Sequence, residues 1–174
     1  MVDTAQSPAT QAFTAKDFRN ALGAFATGVT VITTASADHP YGMTANAFSS
    51  LSLDPPLILV CVKGQAEGSQ IIEKNGVFAV NVLGADQEAL SRYFSSKERP
   101  RGADAFKEIS HRRGRSGSPI LEGAAAFLDC RLTVRHPAGD HIIFIGEVLE
   151  LGVDPAVEPL LFHLGRYRYF RDAE

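Results

Sequence analysis

The sequence predicts a mainly β domain with a few short helices, folded as an antiparallel barrel. Segments rich in β-branched, aliphatic and aromatic residues recur along the 174-residue chain and outnumber the segments with helical periodicity. Hydrophobic residues make up 45% of the chain, which is enough for one substantial core. Many strands with few helices favour a closed antiparallel barrel.

The first element is predicted to be an amphipathic helix over about residues 14–26. Apolar residues recur there at helical spacing, and Thr14 stands three residues before an aspartate, which resembles a capping box. Residues 1–13 before it are mostly small and polar and are predicted to form a flexible N-terminal arm. The folded domain then covers residues 14–174.

The strands are predicted from runs of residues that favour the extended conformation. They cover residues 29–34, 41–48, 57–62, 77–83, 125–136, 141–151 and 160–164. Short helices with apolar stripes are predicted at residues 69–75 and 86–95, and we expect them to pack on the outside of the barrel. A long basic loop is predicted from Lys97 to Arg115, either as a solvated loop or as a flap that faces a phosphate.

Charge and cysteine content exclude several classes of function. The formal net charge of −3 gives no field that would attract nucleic acid or an anionic membrane. Cys61 and Cys130 stand far apart without a CxxC motif, which favours free thiols in a reducing cytoplasm. The N-terminus lacks signal-peptide features, and no apolar run reaches the ~20 residues of a membrane helix. We therefore expect a cytoplasmic protein without nucleic-acid, membrane or metal binding.

Common nucleotide and catalytic motifs are absent from the sequence. It contains no GxGxxG, no GxxxxGK[ST], no HExxH and no GxSxG. A nucleotide, if one binds, must be held in another way.

The densest polar segment covers residues 42–54. Its small side chains would let a flat heteroaromatic ring approach the backbone, while amide and hydroxyl groups supply hydrogen bonds. The candidate binding residues are Thr44, Ala45, Asn46, Ala47, Ser49 and Ser50. The alternative is a Ser/Asn-rich turn between two strands.

Two further segments could contact a ligand. Residues 61–69 predict a strand that leads into a helix, where Lys63 and Ser69 could share a phosphate, although such junctions with a serine cap are common. Between two apolar strands, Asp140 and His141 predict a hairpin with an imidazole at the barrel rim. An ordinary hairpin histidine is the alternative.

Five segments, in this order, resemble the flavin reductase-like family, the small reductase components of two-component flavin-dependent monooxygenases. They are FRNALGAFATGVTVITT (18–34), GMTANAFSSLSLDPPLILVCV (42–62), FAVNVL (78–83), AGDHIIFIGEV (138–148) and PLLFHLGRY (159–167). The resemblance implies an FMN-binding split β-barrel with Greek-key topology. It also implies a homodimer with flavin near the subunit interface.

The resemblance assigns roles to the candidate residues. It places Asn46, Ala47, Ser49 and Ser50 along the flavin ring and ribityl chain, with Thr44 and Ala45 beside them. It places Cys61, Val62, Lys63 and Ser69 toward the phosphate. Asp140 and His141 match the GDH motif associated with the nicotinamide nucleotide, and Tyr167 lies in the matching GRY segment.

The implied activity is that of an NAD(P)H:flavin oxidoreductase. Hydride would pass from NADH, or NADPH, to FMN or FAD, and the reduced flavin would go to a partner monooxygenase. His141 is the predicted catalytic residue, which positions the nicotinamide and shields it from water. The alternatives are a flavin-binding split barrel that is not a reductase, such as a carrier, a redox sensor or a diverged pyridoxamine-phosphate-oxidase-like barrel. A carrier would not need the GDH motif, and an interaction barrel without a ligand would leave the small-residue run unexplained.

Overall fold

The structure is a computed structural model that describes residues 12–36 and 39–170. Helix α1 (Ala15–Gly23) begins with the predicted capping box, in which the Asp17 backbone N–H donates to the Thr14 hydroxyl at 3.2 Å and the Thr14 N–H donates to the Asp17 carboxylate at 2.9 Å. The helix ends three residues before the predicted boundary. Most of the predicted arm, residues 1–11, lies outside the described residues.

Strands dominate the rest of the chain, as predicted. They are β1 (Thr27–Gly28), β2 (Thr30–Ser36), β3 (His39–Ala45), β4 (Phe48–Leu53), β5 (Pro56–Lys63), β6 (Val77–Val82), β7 (His111–Arg113), β8 (Pro119–Leu121), β9 (Ala126–Ala138), β10 (His141–Val153), β11 (Leu161–His163) and β12 (Arg166–Arg168). One seven-stranded sheet has the order β3-β2-β6-β9-β10-β5-β4, and all its pairings are antiparallel.

The seven-stranded sheet curls into a split barrel. Its edge strands are β3 and β4, and only Asn46 and Ala47 connect them, so the two edges must meet at this connection. The Cys61 N–H donates to the Ala47 carbonyl at 2.9 Å, which extends the pairing of β4 with β5 into this connection. Within the described residues β3 and β4 do not pair with each other, so the barrel is not closed by hydrogen bonds. The structure thus has the split form rather than the closed one that strand content alone suggested.

The interior of the barrel is the main hydrophobic core. Alternate residues of β5 point inward and are buried, namely Ile58, Val60 and Val62. The buried members of this core are Ile32, Ile58, Val60, Val62, Ile72, Phe78, Val80, Cys130, Ile142 and Phe144. The intervening β5 residues, including Cys61 and Lys63, therefore lie on the outer face of the barrel.

Three helical segments cover the outside. Helices α2 (Glu67–Asn75) and α3 (Glu88–Ser95) confirm the two predicted helices, and a 3-10 helix (Gly102–Phe106) follows them. A second cluster of buried side chains contains Phe94 of α3 and Phe106 of the 3-10 helix. The basic segment is thus packed on the barrel.

Part of the basic segment was wrongly predicted to be a loop without secondary structure. It contains the 3-10 helix and β7, which pairs with β8. The tight turn at Ser116 is held by the buried carboxylate of Asp129, which accepts hydrogen bonds from the Ser116 N–H at 2.6 Å and from its hydroxyl at 2.5 Å. Burial raises the pKa of Asp129 above its ordinary value. Asp129 lies 13 positions after Ser116, outside the basic segment, so the composition of that segment does not reveal this contact.

Among the helices of the described residues, none combines the length and the apolarity needed to cross a membrane.

Candidate functional site

The connection between the two barrel edges is exposed and its ends are fixed. Asn46 and Ala47 are exposed, and the Asn46 side-chain amide donates to the Thr27 hydroxyl at 3.4 Å. Just before them, the Thr44 hydroxyl donates to the Ser91 carbonyl at 2.6 Å. The carbonyl of the intervening Ala45 accepts a bond from the Thr30 hydroxyl at 2.6 Å. A small-residue surface is therefore presented on a fixed backbone, as a flat ring would need.

The two predicted serines lie on the edge strand β4. Both are exposed, and the Ser49 hydroxyl donates to the Ser50 carbonyl at 3.0 Å. Ser49 pairs with Leu59, whose side chain is on the same strand face as Cys61, whereas Ser50 pairs with the inward-pointing Ile58. Successive strand residues point to opposite faces, so the two hydroxyls do not face one ligand surface together.

The end of β5 brings three of the predicted residues to one face. Cys61 and Lys63 point outward, and His141 lies directly opposite Lys63 in the β5–β10 pairing. Burial raises the pKa of the Cys61 thiol, so this thiol stays protonated at neutral pH. Val62 is only 5% exposed and packs in the core, so only its backbone could reach a ligand.

The predicted GDH hairpin joins β9 to β10. Gly139 has a φ of 60°, in the left-handed region that favours glycine. His141 Nδ1 lies 2.7 Å from Asp140 Oδ1, and this hydrogen bond lowers the pKa of the Asp140 carboxyl. The Gly64 N–H donates to the Asp140 carbonyl at 2.9 Å, which attaches the hairpin to the turn after β5. The imidazole is therefore held through Nδ1, and its Nε2 remains available to a ligand.

Ser69 holds the turn before α2 and does not face solvent. The residue is 1% exposed, and its hydroxyl lies 2.9 Å from the Gly64 carbonyl and 2.8 Å from the Ala66 carbonyl. The neighbouring Gly68 allows a close approach, because a Cβ there would lie 2.6 Å from the sulfur of Met43. The start of α2 is thus packed against β3, and the Ser69 hydroxyl is occupied by backbone carbonyls.

A cavity of about 450 Å³ lies between β3, the start of α2 and the basic segment. Its lining residues are Pro40, Tyr41, Gly42, Lys63, Gln65, Ala66, Glu67, Lys97, Arg99, Pro100, Arg101, Gly102 and Ala105. Lys63 is the predicted site residue among them. The cations of the basic segment were not among the predicted site residues, although their clustering in the sequence was the available signal.

Tyr167 lies apart from this face. It belongs to β12 in a three-stranded sheet with the order β1-β11-β12. Its phenol oxygen is 2.9 Å from the Ser91 hydroxyl, and the Arg92 guanidinium lies 4.7 Å from its ring centre. The carbonyl of Ser91 also accepts the hydrogen bond from Thr44. Tyr167 therefore contacts α3 at the same residue that holds the start of the Asn46–Ala47 connection.

Within the described part of the chain, no group of three or more His, Cys, Asp or Glu residues could hold a metal ion. The site therefore consists of three adjoining parts: the exposed connection, the outer face of β5 with His141, and the cationic cavity.

Comparison with known proteins gives close relatives. A family model described as "Flavin reductase like domain" matches residues 22–171. The chain is 44% identical to the Mycobacterium tuberculosis "Flavin-dependent monooxygenase, reductase subunit HsaB", over 87% of this chain and 80% of that one. It is also 44% identical to an "NADH-dependent FAD reductase" from Streptomyces globisporus, over 87% of this chain and 84% of that one.

Solved structures agree with these relatives. The Streptomyces globisporus C-1027 NADH:FAD oxidoreductase SgcE6, in complex with NAD and FAD fragments, superposes with a TM-score of 0.84 at 42% identity, covering 91% of this chain and 94% of that chain. BorF, the flavin reductase component of a bacterial two-component tryptophan halogenase, superposes with a TM-score of 0.86 at 39% identity, covering 92% of this chain and 100% of that chain.

Proposed function

The chain belongs to the flavin reductase-like family, and from this premise we propose how its site works as an NADH-dependent flavin reductase. The protein reduces FMN or FAD with NADH and supplies the reduced flavin to a monooxygenase. The reductases among its relatives support this activity, and they do not support a carrier or a sensor. The observation that carries the proposal for the site is the position of His141 directly opposite Lys63 on the outer face of the barrel.

The residues on this face fit a flavin. Asn46 and Ala47 offer an exposed, small surface for the ring, and Cys61 and Lys63 continue along β5 toward the cationic cavity. Adjacent outward residues on a strand are about 6.6 Å apart, so the face extends in the direction that a ribityl phosphate would take. Lys63 then supplies the positive charge for the phosphate.

The chain positions the two cofactors and carries out no proton transfer. When bound, the nicotinamide supplies the hydride and the flavin accepts it. His141, held through Nδ1 by Asp140, presents Nε2 and its ring face to the nicotinamide nucleotide and covers the reacting atoms from water. Asp140 acts as a positioning residue. The neutral thiol of Cys61 adds no charge beside the ring.

The exposure of the ring site favours release. Asn46, Ala47 and Ser49 are all exposed, so one chain covers only part of a flavin. We expect a Kd near micromolar, or roughly −8 kcal/mol, because a flavin that is handed on must not be held tightly. Loss of most flavin during gel filtration supports this expectation. One flavin per chain that survives extensive dialysis would contradict it.

We also propose a homodimer. Helix α1 buries none of its residues within one chain, and the side chains of Phe18, Leu22 and Phe25 are exposed. Contiguous exposed apolar residues are typical of an interface, and a second copy would cover them. Light scattering at micromolar concentration should give about twice the 18.7 kDa chain mass. A single monomer peak would contradict the dimer.

We propose a cytoplasmic location because the thiols of the chain are free. Cys61 and Cys130, the two cysteines of the chain, are both unpaired in the structure.

The activity is tested by NADH oxidation with purified protein. FMN, FAD and riboflavin are supplied in turn, and the series is repeated with NADPH. We expect oxidation that depends on both the protein and the flavin, and capture of the reduced flavin by an added oxygenase component. A protein that binds flavin yet does not accelerate NADH or NADPH oxidation with any of the three flavins would contradict the proposal.

A further inference from the structure

We propose that Tyr167 is a positioning residue for the flavin ring. It acts through Ser91 and Thr44, which fix the start of the Asn46–Ala47 connection. This inference rests on the proposed function, because it takes the connection as the ring site. It also gives a role to the small sheet β1-β11-β12, which lies outside the three parts of the site.

Two hydrogen bonds link Tyr167 to the start of the connection. Its phenol oxygen lies 2.9 Å from the Ser91 hydroxyl, and the Ser91 carbonyl accepts a bond of 2.6 Å from the Thr44 hydroxyl. Ser91 is 0% exposed, so water has little access to either bond. Only Ala45 separates Thr44 from the connection, and the position of Thr44 therefore determines where the connection begins.

Tyr167 belongs to a row of side chains that reaches the connection at a second point. In the small sheet, Thr27 pairs with Phe162, and Phe162 pairs with Tyr167. Residues directly opposite each other in a sheet have their side chains on the same face. At the other end of this row, the Thr27 hydroxyl accepts the bond of 3.4 Å from the Asn46 amide. The small sheet thus supports the connection directly through Thr27 and, through α3, from Tyr167.

The ring of Tyr167 is held separately from its hydroxyl. Phe162 packs edge-on against it at a centroid distance of 5.4 Å, and the Arg92 guanidinium lies 4.7 Å from its centre. Arg92 is itself paired with Glu88 at 2.6 Å, one turn earlier on α3. Removal of the hydroxyl alone therefore leaves the ring in place and breaks only the link to Ser91.

Tyr167→Phe is the variant that removes this hydroxyl. Fluorescence titration should show a Kd for FMN that is raised by about three- to tenfold, the effect of one lost hydrogen bond. The KM for NADH should not change, because the lost bond lies on the flavin side of the site. The matched control is Tyr169→Phe, which removes the hydroxyl of the next tyrosine along the chain, bonded to Glu88 and not to Ser91. Its Kd for FMN should stay within about twofold of wild type.

A double-mutant cycle tests whether Tyr167 acts through Thr44. Thr44→Val removes the hydroxyl that bonds to Ser91 and should itself raise the Kd for FMN. In that background Tyr167→Phe should change the Kd by less than about twofold, because the link is already broken. An equal effect of Tyr167→Phe in both backgrounds would contradict the proposal, since Tyr167 would then act independently of Thr44.

Ser91 separates positioning from a general loss of stability. Tyr167→Phe leaves the buried Ser91 hydroxyl without this partner and should lower Tm, whereas Tyr167→Phe/Ser91→Ala removes both partners and should recover part of the loss. Positioning predicts that FMN affinity stays low in the double variant, because the bond is still absent. An FMN affinity that recovers together with Tm would overturn the proposal.

The visible circular dichroism of bound FMN reports the surroundings of its ring. At saturating FMN this spectrum should change in Tyr167→Phe and remain as in wild type in Tyr169→Phe. A wild-type Kd for FMN in folded Tyr167→Phe would refute the positioning role. These measurements need no NADH, so failure of the proposed function is distinguishable: wild-type protein that binds FMN but oxidises no NADH or NADPH would contradict that function alone.

Discussion

Replacing His141 with alanine should lower kcat/KM for NADH by about 10- to 100-fold and leave flavin affinity nearly unchanged. The reason is its position. The imidazole stands opposite Lys63, where the nicotinamide nucleotide would meet the flavin, and not beside the small-residue connection that we propose as the ring site. Its removal therefore affects the second substrate.

The magnitude of the loss in kcat/KM follows from the atoms of the imidazole that are free to contact the nucleotide. Nδ1 is engaged by Asp140 at 2.7 Å, so only Nε2 and the ring face can reach the nucleotide. One hydrogen bond contributes about 0.5–1.5 kcal/mol, and ring stacking adds a similar amount. The sum of about 1–3 kcal/mol corresponds to roughly 5- to 150-fold, at tenfold for each 1.4 kcal/mol.

Steady-state kinetics with NADH and saturating FMN, together with a fluorescence titration of flavin, measure both quantities. A raised KM alone means that His141 binds the ground state and the transition state equally, whereas a fall in kcat means that it aligns the hydride path. His136→Ala is the control, since it removes an exposed imidazole from the same hairpin. If folded His141→Ala kept wild-type NADH kinetics but lost flavin binding, the assignment of this histidine to the nicotinamide nucleotide would be wrong.

Three further substitutions or reactions test other parts of the account. Replacing both Ser49 and Ser50 with alanine should raise the flavin Kd about tenfold, and Ser49→Ala alone should account for most of the effect, because Ser49 shares the strand face of the site. Burial raises the pKa of Cys130 to about 12, so this thiol should stay unlabelled by a thiol reagent in native protein near pH 8. Gly42→Ala would place a Cβ 2.5 Å from a ring carbon of Phe94 and should destabilise the fold by about 1–3 kcal/mol, lowering Tm by about 2–12 °C.

Each of these tests has an internal comparison. Equal effects of the two single serine substitutions would contradict the assignment of faces. The half-exposed Cys61 should react where Cys130 does not, and bound FMN should slow its labelling. Gly28→Ala is the control for the packing test, because nothing lies within 4 Å of a Cβ at that position. A Tm for Gly42→Ala equal to that of Gly28→Ala would contradict the close approach at Phe94.

Features that depend on neighbouring residues could be predicted from the sequence. The capping box at Thr14 and the hairpin at Gly139 each rest on side chains or φ angles within a few residues. The break between β3 and β4 was missed, because the alternation of residues 41–48 runs on through Asn46 and Ala47 without a glycine or proline. The strand breaks there because the chain must pass from one edge strand of the barrel, β3, to the other, β4.

Part of the candidate site could likewise be predicted from neighbouring residues, and part could not. Lys63 and His141 were named from their segments, and the structure brings them together across one strand pair. The burial of Ser69 and the opposite faces of Ser49 and Ser50 depend on helix packing and strand register, which local composition does not specify. The cavity cations belong to the site because Arg99 attaches their segment to β3, a contact across 57 positions of sequence.

Anaerobic mixing of NADH with the protein and one equivalent of FMN or FAD tests the central claim most directly. The flavin's visible absorbance should disappear in a single exponential phase, at a rate at least equal to kcat. Deuterium at the transferred position of the nicotinamide C4 should slow this phase, and omission of the protein should nearly abolish it. A flavin that stays oxidised, or that is reduced at the same rate without the protein, would contradict hydride transfer at this site.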